Sequence, residues 1–357
     1  MVNSNLLNQV VLQFKEQFQP FHEDLSAVLL TPDKHLWLGS DETKTLERLS
    51  FDGSRTFSNH QHIDIGEFIE LPAAKNEEID IEGLAYADYY LWFVGSHSWK
   101  RKKPKADKTD EKNSERLAKV ESGKNRFILA RIPLINGELF QSCPHPQYSD
   151  KQLTAAKLQL TKTGNLLMDA LGSDEHLHPF IFAGIPSKDN GFDIEGLAIL
   201  EDKIFIGLRG PVLRGWAIIL EVEVESTSLE SLKLKELGDR GKLYKKHFVK
   251  LGGLGIRELC FDGQDLLILA GPTMDIDGPV KLFRLQEGFN SADNLFSWEP
   301  KPILDLPYGE GNHHAEGVTL FNAIAQQPSI LVVYDSPAPT TQLGEASAVT
   351  ADIFPLG

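Results

Sequence analysis

The chain has 357 residues, 41% hydrophobic and 24% charged, an ordinary globular balance that excludes disordered and fibrous classes. Its 36 Lys and Arg against 51 Asp and Glu give a formal charge of −15, which repels phosphate backbones and anionic bilayers, so neither a nucleic-acid nor a membrane partner is expected. With two cysteines, Cys143 and Cys260, and no CxxC pair, a disulfide framework, zinc ribbon or redox centre is not expected either.

Taken in chain order, Met1 to Gln19 has no basic start, apolar core or small-residue cleavage site. No later run nears the roughly 20 apolar residues of a membrane helix, and the expected location is the cytoplasm. Val10–Phe14 reads as a strand, expected to pair into the last repeat and close a ring. A hexapeptide pattern then recurs as Asp24-Leu-Ser-Ala-Val-Leu29, Asp80-Ile-Glu-Gly-Leu-Ala85, Asp193-Ile-Glu-Gly-Leu-Ala198, Ile256-Arg-Glu-Leu-Cys-Phe261 and His314-Ala-Glu-Gly-Val-Thr319. After each comes a polar turn and a short β-rich run: Leu36–Gly39, Leu91–Val94, Ile204–Gly207, Leu266–Leu269 and Ile330–Val333. A third run often follows, as in Phe127–Ile132, Ala217–Val222 and Val280–Arg284.

Short strands rich in Val, Ile, Phe and Trp and bounded by Gly, Asp and Pro form antiparallel meanders, and one meander per repeat makes a propeller blade. The fold class is therefore all-β, a single β-propeller domain over residues 1–357, with five blades and six as the alternative. The interval from Glu82 to Glu195 is double the others. Two insertions account for it: a charged loop at about 99–126 containing Lys100-Arg-Lys-Lys103, and a short helical segment at about 155–180 around Leu166–Met168. Trp37 and Trp92, at matching strand positions, read as blade core.

The blocks Ser187–Ala198, Gly207-Leu-Arg-Gly-Pro211, Gly252–Glu258 and His313-His-Ala-Glu-Gly317 resemble a bacterial family known only as a domain of unknown function. The resemblance spans most of the chain and implies a propeller-like fold with no established activity. More distantly, the Asp-x-Glu-Gly-Leu-Ala motif is similar to that of phytase-like, esterase-like propellers. Sugar-lactonase propellers also carry a metal-binding Glu before Gly, but their Glu-Gly-Pro followed by Trp is absent here.

In a propeller the loops entering the first strand and leaving the second emerge on one face. Two sets of residues therefore meet at one channel mouth: Asp24, Asp80, Glu82, Asp193, Glu195, Arg257, Glu258, His313, His314 and Glu316, and Asp41, His97, Arg209, Arg214, Thr273 and Asp335. Two readings of the repeated Glu stay open. Each caps backbone N–H groups of the adjacent blade, or Glu82, Glu195 and Glu316 hold a divalent cation, Ca²⁺ or Mg²⁺ for an oxygen-rich site. The arginines either neutralise the glutamates or, with Lys188, bind an anion through Lys188, Arg209, Arg214 and Arg257. The functional expectation is a propeller that binds a small anionic molecule, or a metal-assisted ester, phosphoester or lactone hydrolase with His97 or His314 as general base. The alternative is a non-catalytic scaffold for a protein partner. Weaker signals are a calcium-loop-like Asp275-Ile-Asp-Gly278 and a zinc set of Cys143, His145, His176 and His178.

Overall fold

The structure is a computed structural model describing residues 6–15, 24–73, 77–237, 241–289, 295–298, 300–309, 313–322, 327–337 and 347–356. The leader reading of Met1 to Gln19 falls in part outside these residues. Each repeated hexapeptide starts the first strand of a four-stranded antiparallel meander, and five such meanders run through the described residues.

Meander I contains Leu25–Leu30, His35–Ser40, Thr45–Phe51 and Thr56–Asp64. Meander II contains Ile81–Ala87, Tyr90–Gly95, Leu129–Ile135 and Ala156–Leu158. Meander III contains Asp193–Leu200, Lys203–Gly210, Trp216–Val222 and Lys245–Lys250. Meander IV contains Gly255–Asp262, Asp265–Gly271, Val280–Leu285 and Lys301–Leu306. Meander V takes His314–Leu320, Ser329–Asp335 and Ala348–Pro355, and its fourth strand is N-terminal, Asn8–Gln13, paired antiparallel with Leu12 opposite Val349. The first strands touch in the cyclic order I, II, III, IV, V and back to I. The architecture is a β-propeller, and the N-terminal strand joins its last sheet as expected.

The second strands are almost wholly buried, which explains their continuous apolar runs in place of alternation. Apolar packing lies between sheets. Trp37, Ala27, Leu84 and Leu91 join I to II; Trp92, Ile194, Leu197 and Ile206 join II to III; Leu38, Leu331 and Val333 join V to I. Both tryptophans are core residues.

The two insertions differ from expectation in instructive ways. The charged segment is not a plain loop. Lys100–Arg101 pairs with Val120–Glu121, and between them runs helix α1, Asp110–Ala118. Thr109 caps it by accepting from the Lys112 amide, Asp110 and Glu111 favour its positive end, and Arg116 Nε donates to the Lys103 carbonyl at 2.7 Å. The second insertion begins later than expected, because Ala156–Leu158 is the outer strand of meander II. Beyond it lie α2, Leu166–Leu171, and α3, His178–Phe182.

Candidate functional site at the channel mouth

Every first strand carries a register break at a corresponding position, Ser26 in I, Glu82 in II, Glu195 with Gly196 in III, Arg257 in IV and Glu316 in V, and the strand of III has a second between Asp193 and Ile194. A β-bulge leaves one residue outside the ladder and re-aims its side chain. Ser26, Glu82, Glu195 and Glu316 thereby line a single cavity of about 660 Å³ at the mouth. The glycine after each Glu lets the neighbouring strand approach. A Cβ on Gly83 would lie 2.7 Å from Leu197 Cβ, and one on Gly196, at φ +96°, would lie 2.9 Å from Glu258 Cα.

This register corrects the alignment of the fourth repeat by one residue. Arg257, not Glu258, occupies the bulge, so a guanidinium sits between two carboxylates of the ring. Its Nη1 donates to Glu316 Oε2 at 2.6 Å and stands 3.4 Å from Glu195 Oε2, while Nη2 donates to the Pro272 carbonyl at 2.9 Å. Glu258 takes the place of the glycine and latches meander III: its Oε1 accepts from the Leu197 amide at 3.2 Å and the Leu259 amide at 2.9 Å. Burial drives the Glu258 carboxyl well above the usual range despite these bonds. Ser26 latches in the same way, its hydroxyl donating to the Ile81 carbonyl at 2.5 Å. The capping reading thus holds for Glu258, whereas Glu82, Glu195 and Glu316 face the cavity.

Charge around the ring is uneven. On the III–V side, Arg209 Nη1 donates to Glu195 Oε1 at 2.8 Å, its Nε donates to the Thr273 carbonyl, and Arg257 serves Glu316. Burial raises the Glu195 carboxyl, and Arg209 and Arg257 hold it down. Asp80 is paired with Arg126, which also holds Glu78 at 2.6 Å. On the I–II side no guanidinium reaches Glu82 or Asp41, and neither receives a hydrogen bond from a described residue. Burial, then Asp80 and Glu195, pushes Glu82 well above the usual carboxylate range; burial, then Asp80 and Asp335, does the same to Asp41, with Lys188 opposing. Asp193 is 3% exposed and is raised by burial and Glu195; its closest cation, Arg209 Nη1, is 4.0 Å away.

The charged insertion supplies the outer wall. Lys100, Arg101, Lys102, Lys103, Arg116 and Leu117 all line the cavity. Exposed ion pairs tie the insertion to the rim: Arg101 to Asp189 at 2.8 Å and Lys103 to Asp275 at 2.9 Å. Asp275 is therefore a partner of the insertion, and the calcium-loop reading of its segment has no support.

Several expected residues do not take their expected places. His97 is buried and does not line the cavity. Its Nδ1 is 2.7 Å from the Gly95 carbonyl and its Nε2 is 2.8 Å from Asn165 Nδ2, so both ring nitrogens are engaged and burial lowers its pKa to about 4. It anchors Asn165, the cap of α2, and cannot serve as a base at the mouth. His314 points at Asp277, 3.3 Å away, outside the cavity lining. Arg214 is exposed on a turn, also outside it. Lys188 and Arg209 do line the cavity, and Lys188 makes no direct ion pair with a described residue. His176 is bound to Lys246 beside Asp174, away from any zinc set. Among the described residues no group of three or more His, Cys, Asp or Glu side chains is arranged to hold an ion. Glu195 and Glu316 turn their oxygens to arginines, so the Glu82, Glu195 and Glu316 trio does not fit a Ca²⁺ or Mg²⁺ cage.

Fold and site together define a β-propeller with a charged, partly covered channel mouth. The chain belongs to the family described as protein of unknown function (DUF3616), whose model matches residues 24–352. No curated protein matches it. Solved structures similar to it include virginiamycin B lyase from Staphylococcus aureus, at 10% identity over 97% of this chain and 99% of that one, with a TM-score of 0.37. A glucose dehydrogenase matches at 15% identity over 93% and 81%, TM-score 0.37, and YCF48 from Cyanidioschyzon merolae at 13% over 94% and 96%, TM-score 0.33. Among the described residues no helix is long and apolar enough to cross a membrane.

Proposed function

We propose that this propeller binds a small polar molecule in the cavity at its channel mouth, beneath the charged insertion. One observation carries the reading: a cavity of about 660 Å³, within the range of small-molecule sites, takes charged side chains from all five meanders. These include Asp41, Glu82, Glu195, Asp275 and Glu316. Of the residues expected to hold an anion, Arg209 and Arg257 are committed to Glu195 and Glu316 and Arg214 lies outside the cavity, so Lys188 alone of that set remains to favour one.

The raised Glu82 carboxyl favours a second reading, hydrolysis. Burial beside Asp80 and Glu195 raises it well above the ordinary carboxylate range, which favours the proton-donor form of a group facing the cavity. Water would add to an ester carbonyl while the departing alcohol oxygen takes the Glu82 proton, and the proton shed by the water restores the Glu82 carboxyl, without His97 or His314. Release of alcohol from an ester panel, abolished by Glu82→Gln, is its test.

The binding reading is tested by amide chemical shifts recorded while mixtures of amines, acids and sugars are titrated in. Perturbations should centre on Glu82, Leu117 and Lys188. Perturbations centred on the outer Trp216, Phe296 and Trp298 cluster instead, or none at all, would overturn it.

A further inference from the structure

The five bulge positions form a ring in the order Ser26, Glu82, Glu195, Arg257 and Glu316. Ring neighbours are sheet neighbours, so each side chain's electrostatic surroundings follow from the two beside it. Glu195 has Arg257 on one side and Arg209 from its own sheet, and Glu316 has Arg257. Glu82 stands between Glu195, already committed, and Ser26, which is neutral and spends its hydroxyl on the Ile81 carbonyl. Arg126, which lines the same cavity, is engaged by Asp80 and Glu78.

Around this gap lie further carboxylates in the same cavity wall. Asp41 receives no hydrogen bond from a described residue, and Asp335 receives one only from Ser336 Oγ, at 3.0 Å. An independent observation comes from Asp193: 3% exposed, in the cavity lining, with no hydrogen-bond donor among the described residues and no cation closer than 4.0 Å. Buried carboxylates without donors are costly unless protonated or met by a positive group. On the opposite side of the ring the protein itself supplies those groups, with Arg209 and Arg257.

We propose that the part of the mouth where meanders I, II and III meet, bounded by Ser26, Asp41, Glu82 and Asp193, is a subsite for a ligand's organic ammonium or guanidinium group. The proposal rests on the small-molecule reading above and names the ligand's chemical class. The ligand's cation plays beside Glu82 the part that Arg257 plays between Glu195 and Glu316. Lys188 and Arg116, lining cations without a direct ion pair to a described residue, suit an acidic or carbonyl group in the remainder of the ligand. The basic insertion repels a second cation, which restricts the positive group to one end. This reverses the anion expectation: the arginines complete the protein's own charge, and the carboxylates are what remains for a ligand.

Three probes of equal chain length separate the possibilities: 5-aminopentan-1-ol, glutarate and 1,5-pentanediol, titrated into the full chain and followed by amide chemical shifts at low ionic strength. The amino alcohol should bind at least tenfold more tightly than either of the others. Glu82→Gln, and independently Asp41→Asn, should each weaken it at least tenfold, while Asp150→Asn on the outer surface leaves it unchanged. Two substitutions are named so that one misfolded variant does not decide the outcome. Equal or tighter binding of glutarate or the diol at the mouth overturns the ammonium subsite and leaves the small-molecule reading standing. CaCl₂ binding at the same residues and displacing 5-aminopentan-1-ol at lower concentration overturns it in favour of a metal. Absence of mouth perturbations by all three probes and by the wider mixtures overturns both.

Discussion

His97 ties the second strand of meander II to the helical insertion, and its removal can be worked through quantitatively. The ring is 1% exposed, with the Gly95 carbonyl at 2.7 Å and Asn165 Nδ2 at 2.8 Å. Asn165 presents an N–H to Nε2, so that nitrogen must be unprotonated, and the fold holds imidazole neutral. Its pKa falls from an ordinary 6.5 to about 4. In the unfolded chain the ring takes up a proton as pH falls through 6.5, while in the folded chain it resists until about 4. The stability it contributes is fully present above 6.5 and is lost across that window, a total of roughly 3 kcal/mol. His97→Asn removes the titration while suiting the backbone, since φ here is +54° and Asn tolerates the left-handed region. Urea unfolding of both proteins between pH 7.5 and 4.5 isolates the effect, because other groups cancel in the difference. Wild type should lose roughly 2–3 kcal/mol relative to the variant as pH falls. A difference that stays constant across the series would refute the neutral, doubly bonded ring.

Other expectations test the ring and its cover. Glu82→Gln should raise the melting temperature at pH 8, because a carboxyl raised in the fold makes the native state less stable as pH climbs above the ordinary carboxylate range. At pH 4, where unfolded Glu is also protonated, the gain should vanish. Glu258→Ala should cost about 1–3 kcal/mol in urea unfolding by releasing the Leu197 amide, whereas Glu258→Gln keeps an acceptor and should stay within about 1 kcal/mol of wild type. Gly196→Ala should destabilise by more than about 2 kcal/mol in the same assay, since its Cβ meets Glu258 backbone at a left-handed φ. Lys103→Glu should change global stability by less than about 1 kcal/mol, the pair with Asp275 being exposed, yet speed hydrogen exchange of the amides in 100–121.

Much of the propeller could be read from the chain because its signals are local. Asp-Ile-Glu-Gly-Leu-Ala marks a strand entry whose glycine is required by the approach of Leu197 to Gly83, so the repeat is a packing constraint visible in one dimension. The face on which Glu82, Glu195 and Glu316 meet followed from topology alone. What escaped depends on three-dimensional register. Ile256-Arg-Glu258 looks like Ile-Glu-Gly shifted by one, and only the bulge between Ile256 and Glu258 shows that Arg257 holds the ring position. His97 escaped because a left-handed turn redirects it into the protein, and no residue near it in sequence names Asn165 as its partner. Helix α1 has no buried residue, so apolar periodicity could not announce it, although Thr109-Asp-Glu111 is a legible N-terminal cap. The partition of charge between the two sides of the mouth was unreadable, since it depends on which carboxylate each arginine reaches.

The account stands most directly on where a positive ligand group settles. In a crystal structure of the protein soaked with 5-aminopentan-1-ol, its ammonium should lie within hydrogen-bonding distance of Glu82 and Asp41, with the Arg257 bridge between Glu195 and Glu316 intact. An ammonium that displaces Arg257, or binds only outside the mouth, would contradict it.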